Sequence, residues 1–173
     1  MDNLEKKTLL SLAKNTLAKS LKLPYEEIDA SAYDEKVGAF VTLKKQGALR
    51  GCIGYIFGIK PLYQEIRDLA LEAAYEDYRF MPLTKEEFPS IEIEISVLTE
   101  PRLINDLSEF VLSRDGIILS LLGRKAVFLP QVADETGWDK EKLLSALSNK
   151  AGLDSSAYKR DDAQFLTFQA EVF

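Results

Sequence analysis

The sequence predicts an α+β fold with a largely antiparallel sheet. Two pairs of β-rich segments are each joined by a short glycine-containing turn, as hairpins are, and Ile91–Leu98 alternates strictly between apolar and polar residues. Amphipathic helical stretches fall between these pieces without a strand answering each one, which leaves parallel βαβ winding as the weaker alternative.

From the N-terminus, residues 3–22 read as an amphipathic helix, with Leu10, Ala13, Leu17 and Leu21 on one face and Lys7, Lys14 and Lys22 elsewhere; Pro24 ends it. Residues 25–36 are polar and acidic and read as a loop. Val37–Leu43 and Leu49–Tyr55 are β-rich around a turn at Gln46-Gly47. Pro61 opens a helix at its first position, where the missing N–H is harmless. Leu62, Ile66, Leu69, Ala70 and Ala73 form its buried stripe, and Glu65, Asp68, Glu72 and Glu76 its wet one. Thr84 and Glu87 suit a capping box for a short helix ending at Pro89. In the strand at Ile91–Leu98, Ile91, Ile93, Ile95 and Val97 face the core, while Glu92, Glu94 and Ser96 face solvent or a cleft.

After Pro101 the order begins again. Asp106–Leu112 reads as a short helix, then Gly116–Leu122 and Lys125–Leu129 as a second hairpin with a type II′ turn at Gly123-Arg124. A short helical piece runs from Pro130 to Gly137. Asp139 caps a helix with Leu143, Leu147 and Ala151 on one face and Gly152 closing it, and Phe165–Phe173 reads as a final strand. Hairpin, helix and strand are thus followed by hairpin, helices and strand, a duplication of element order with little residue identity.

The bulk properties narrow the chemistry. A chain of 173 residues suits one domain or two small interlocked ones. A net charge of -6 disfavours a nucleic-acid-binding role, which needs clustered positive charge. The chain has no histidine, which removes the Ser-His-Asp triad and the Cys-His dyad and leaves Asp, Glu, Lys, Tyr or Cys as general acid or base. One cysteine allows neither an internal disulfide nor a Cys/His zinc site. No apolar run approaches the roughly 20 residues of a membrane span, and no apolar leader follows the start, so a cytoplasmic location with no membrane contact is expected. Walker A, G-x-S-x-G and Rossmann glycine signatures are absent.

The candidate site is Leu49-Arg50-Gly51-Cys52-Ile53-Gly54. It holds the only cysteine, between two glycines and two residues after an arginine. A nearby guanidinium favours the thiolate, and glycines inside a strand mark a bulge or a close approach of backbone or ligand. Cys52 reads either as a small buried hydrophobe or as a reactive, ligand-contacting thiol. Arg50 and Arg79 suit bidentate anion binding or an internal ion pair with Asp77, Glu92 or Glu94. Glu92 and Glu94, with Asp77 near, are either solvated or an oxygen site for Mg²⁺ or Ca²⁺. Ser96 and Gln131 complete the polar candidates, and Trp138 reads as core.

These residues resemble a known family. LRGCIG at Leu49–Gly54, Glu72-Ala73-Ala74 with Asp77, Arg79 and Phe80, and Glu92–Leu98 are similar to marks of the AMMECR family. So are Leu129-Pro130-Gln131-Val132, Gly137-Trp138-Asp139 and Lys150-Ala151-Gly152-Leu153. Tyr78 stands where many members carry proline. The resemblance implies two intertwined subdomains, about 25–100 and about 101–173, built from duplicated β-hairpin/helix units around a barrel-like sheet, with helix 3–22 packed on it. It also implies a shallow cleft formed by Arg50, Gly51, Cys52, Ile53 and Gly54 with Asp77, Arg79, Phe80, Glu94 and Ser96. Two functions follow as expectations. One is a small-ligand-binding or enzyme-like protein with Cys52 as nucleophile or redox centre and Glu94 handling protons. The other is a non-catalytic module docking on a Memo-like or radical-SAM-type protein. Neither resemblance nor composition names a cofactor.

Overall fold

The computed structural model describes residues 1–173, in two compact units: Met1–Leu98 with Glu171–Phe173, and Thr99–Ala170. The first unit contains α1 (Asn3–Ser20), β1 (Ala39–Lys45), β2 (Ala48–Tyr55), α2 (Leu62–Tyr75) and β3 (Ile91–Leu98). The second contains β4 (Arg102–Ile104), β5 (Gly116–Leu121), β6 (Arg124–Phe128), α3 (Val132–Thr136), α4 (Lys140–Lys150) and β7 (Gln164–Phe168). A last strand, β8 (Ala170–Val172), returns to the first sheet.

The sheets run β2-β1-β3-β8 and β4-β7-β5-β6. In each, the first strand of a hairpin lies between its hairpin partner and the strand that follows the helices, so β2-β1-β3 matches β6-β5-β7. The duplication therefore holds in topology. The barrel-like closure does not: these are two open four-stranded sheets. Each lays one face on helices, and four short strands are too few to close a cylinder.

Both cores follow the periodicity of the sequence. In the first unit Leu9, Leu12 and Leu17 of α1 and Ile66 and Leu69 of α2 pack with Val41, Leu43 and Ile95 of the sheet. In the second, Phe110, Ile117, Leu119 and Phe165 meet Leu143 and Leu147 of α4. Trp138 packs partly buried on that cluster, edge-on to Phe128 with ring centroids 6.4 Å apart.

Several local expectations are corrected. The buried register of α1 uses Leu9, not Leu10; both sit a helical step from Ala13, and tertiary packing chooses. The helix stops at Ser20, before Pro24, because Lys22 turns left-handed (φ 56°) and the Leu23 N–H closes onto the Ala18 carbonyl at 2.9 Å. Pro61 is the N-cap of α2, so the helix begins at Leu62, one residue later than expected. Glu65 lies in the buried stripe of α2, 2% exposed, instead of facing water. Burial pushes its carboxyl above the usual range. The second hairpin turns on Leu122 and Gly123, both at positive φ, which is type I′ and one residue earlier than the II′ turn expected. Residues 106–112 hold only a 3₁₀ turn, Leu107–Glu109, capped by Asp106. The final strand is broken at Gln169, whose N–H bonds the Thr99 hydroxyl at 2.9 Å, so β7 and β8 serve different sheets.

Candidate functional site

Hairpin register sets the geometry of the motif. Leaving the Gln46-Gly47 turn, Lys45 pairs with Ala48 and Lys44 with Leu49; the register then slips, and Gly51 faces Leu43 while Cys52 faces Thr42. Arg50 is the extra residue of this bulge. An unbulged hairpin would set Cys52 against Val41, which is fully buried, and send the thiol into the core. Because of the bulge Cys52 is half-buried, and the Thr42 hydroxyl donates to its Sγ at 3.2 Å. Gly51 points inward instead. A Cβ there would lie 2.1 Å from the Ala73 carbonyl oxygen of α2, so only glycine admits the helix. On the outer side, a Cβ at Gly54 would lie 2.2 Å from the Phe40 ring.

β2 is an edge strand, and its outward backbone groups at Cys52 are met by side chains. Asp77 Oδ2 accepts from the Cys52 N–H at 2.9 Å, and Arg79 Nη2 donates to the Cys52 carbonyl at 3.4 Å. Asp77 is 4% exposed and also accepts from Arg79 Nε at 2.9 Å and Nη2 at 2.7 Å. The Arg79 guanidinium, and with it the backbone N–H groups, holds the Asp77 carboxyl far below the usual range despite its burial.

Arg50 forms a second locked group. Its Nε and Nη2 donate to the two carboxylate oxygens of Glu87 at 3.1 and 3.0 Å, and Nη2 donates to the Met81 carbonyl at 2.7 Å. Arg50 first, then Lys45 at 3.0 Å, hold the Glu87 carboxyl down to about 2. Thr84 accepts from the Glu87 N–H at 3.3 Å, so half of the expected capping box forms; the Glu87 side chain is taken by Arg50 instead. Both guanidinium carbons lie within 6 Å of the Phe80 ring, Arg79 at 5.5 Å and Arg50 at 5.9 Å.

Among the residues named from the sequence, Cys52, Asp77 and Arg79 thus form one bonded group and Arg50 another, with Phe80 reached by both arginines. Arg79, not Arg50, is the arginine bonded at Cys52. Ile53 packs against the first core. Glu94 shares a cross-strand row with Thr42 and Cys52, but its carboxylate is held by Lys44 Nζ at 2.7 Å. Two strand spacings, about 10 Å, separate its backbone from that of Cys52. Ser96 is buried opposite Phe40, and Glu92 is exposed. No three Asp, Glu or Cys side chains gather as an ion site. Gln131 belongs to the second unit, at the N-cap of α3, where its carbonyl accepts from the Glu135 N–H at 3.0 Å. Sequence reading missed Thr42, Met81 and the pairing of Glu87. Thr42 follows from hairpin register once Arg50 is recognised as a bulge; nothing local announces that Glu87 reaches Arg50.

An α+β domain whose first hairpin is bulged at Arg50 and locked by an Asp-x-Arg segment defines the class of protein. The AMMECR1 family profile matches residues 10–173, and the chain belongs to that family. It is 36% identical to a Methanothermobacter thermautotrophicus protein over 98% of this chain and 93% of that one. It is 41% identical to protein PF1979 of Pyrococcus furiosus over 80% of this chain and 71% of that one. The crystal structure of the uncharacterized protein PH0010 from Pyrococcus horikoshii is similar, with a TM-score of 0.86, 33% identity, and 99% of this chain and 92% of that chain covered.

Proposed function

We propose that the domain is a non-catalytic binding module that docks on a partner protein through the segment Asp77–Met81 and the adjoining edge of β2. The supporting observation is a division of labour within that segment. Its charged groups are consumed internally, Asp77 by Arg79 and Cys52, Arg50 by Glu87 and the Met81 carbonyl. Its large apolar side chains stand in water, Tyr78 at 96% and Met81 at 79% exposure, beside Leu49 at 45%. Rigidly fixed charges around exposed aromatic and thioether groups are the composition of a docking patch. The partners to test are those the family resemblance implies, a Memo-like protein and a radical-SAM-type protein, in a reducing cytoplasm where an unpaired Cys52 is at home. Titration calorimetry with each purified protein is the test. Tyr78→Ser with Met81→Ser should weaken binding at least tenfold, roughly 1.4 kcal/mol or more, as hot-spot truncation does. Unchanged affinity of the double variant, or no binding by the wild type to either protein, overturns the reading.

A second reading, ligand binding or catalysis at Cys52, has one observation in its favour. The half-buried sulfur receives the Thr42 hydroxyl, and the Arg79 guanidinium bonds the carbonyl of the same residue at 3.4 Å. Against it, Arg50 is only 9% exposed, with Nε and Nη2 taken by Glu87 and the Met81 carbonyl and the one unpartnered nitrogen, Nη1, buried, and Glu94 is tied to Lys44. The rate of thiol alkylation against pH separates the two. A reactive thiolate near neutrality supports the site, and an inert thiol supports the docking module.

A further inference from the structure

A hollow of about 170 Å³ lies in the first unit between α1, α2 and the segment Tyr25–Ile28. Its volume is room for roughly six waters. That is below the roughly 300–1,000 Å³ of drug-sized sites, so any occupant is small. Arg67 of α2 lines it. Arg50, Arg79, Arg102, Arg114 and Arg160 each bond a carboxylate, whereas Arg67 and Arg124 each make one long contact to a backbone carbonyl, and of these two only Arg67 lines this hollow. Its guanidinium lies 5.7 Å from the Tyr63 ring centroid, and its one hydrogen bond is a long 3.4 Å contact from Nη2 to the Ile28 carbonyl. A guanidinium held in this way, with donors to spare in a walled hollow, is matched to a planar carboxylate.

The rest of the lining narrows the ligand. A phosphate dianion would meet Glu26 and Glu27 in the same hollow. Glu27 is already bonded by Lys19 at 2.6 Å, across a rim where Lys19 also lies over the Tyr25 ring. The Glu26 carboxylate bonds no cation, while its backbone N–H is fixed by Asn15 Oδ1 at 2.7 Å. Leu12 and Ile28 supply apolar wall. One free cationic group, one free anionic group and a short apolar lining fit a molecule that carries both charges and a small hydrocarbon side chain.

We infer that this hollow binds a free α-amino acid with a small aliphatic side chain, its carboxylate on Arg67 and its ammonium on Glu26. The site shares no residue with the docking segment and stands or falls independently of it. Titration calorimetry on the full chain tests it with L-valine, L-valinamide (no carboxylate), N-acetyl-L-valine (no ammonium) and inorganic phosphate. L-valine should bind, and each single-charge analogue should bind at least tenfold more weakly. Arg67→Gln should abolish the preference for valine over valinamide. Glu26→Gln, whose side chain bonds nothing and is exposed, should leave the melting temperature unchanged while abolishing the preference over N-acetylvaline. No heat and no thermal shift with about 10 mM L-valine, equal affinity for valine and valinamide, or tighter binding of phosphate than valine overturns the inference.

Discussion

Glu87→Gln tests whether the Arg50 bulge is held as described. The carboxylate sits at about 2 instead of its ordinary 4.5 because Arg50, then Lys45, bonds it. At about 1.4 kcal/mol for each tenfold change in proton affinity, this corresponds to about 3 kcal/mol. Glu87 keeps 22% of its side chain in water and Arg50 11%, so screening brings the expectation to about 2 kcal/mol. For a chain of this size that is a fall in melting temperature of about 4–8 °C at pH 7. The sign with pH is fixed by linkage. A depressed carboxyl contributes in full above pH 4.5, and its contribution is lost as pH falls through 2. By pH 3 the gap between wild type and variant should shrink to about two-fifths of its neutral value. Circular dichroism melts at the two pH values measure it. Melting within a degree of wild type at pH 7, or a gap that persists undiminished at pH 3, would refute the account of Arg50 as a residue locked by Glu87.

Three further outcomes follow from the same geometry. Gly51→Ala drives a methyl against the Ala73 carbonyl and should cost about 1–3 kcal/mol in denaturant unfolding, with α2 displaced from β2. Asp77→Asn leaves the buried end of the Arg79 pair without its charge and should cost about 1.5–3 kcal/mol, accompanied by faster hydrogen exchange at the Cys52 amide. Leu122→Asn should stabilise by up to about 1 kcal/mol, because Leu122 is 65% exposed at φ 52°, a conformation asparagine tolerates better.

Much of the fold was legible because periodicity and turn chemistry agree. The alternation of Ile91–Leu98 marked β3 to the residue, and Asp139 and Gly152 bracketed α4. What escaped was decided by tertiary contact. Leu9 and Leu10 are equivalent in spacing, and only packing separates them. Glu65 reads as solvent-facing by residue type, yet it is buried with its carboxylate turned onto the Lys60 backbone N–H at 3.3 Å, in the loop that leads into α2. The run Phe165–Phe173 looks like one strand because alternation carries no sign of which sheet it joins. At the candidate site the motif was visible, but its wiring was not. Arg50 appears adjacent to Cys52 in sequence, and the bulge hands that neighbourhood to Arg79. The partner of Arg50, Glu87, lies 37 residues away, beyond any local pattern.

The placement of β8 has a consequence for how the polypeptide acquires its shape on the ribosome. The first sheet completes its pairing of Ile95 with Phe173, through two hydrogen bonds of 2.8 and 3.0 Å, only after residues 99–170 have been made. At about 5–20 residues per second, that interval is roughly 4–14 s. For its duration β3 carries an open flank of backbone donors and acceptors on an otherwise assembled nascent body, which is when a ribosome-associated chaperone would have most reason to hold it.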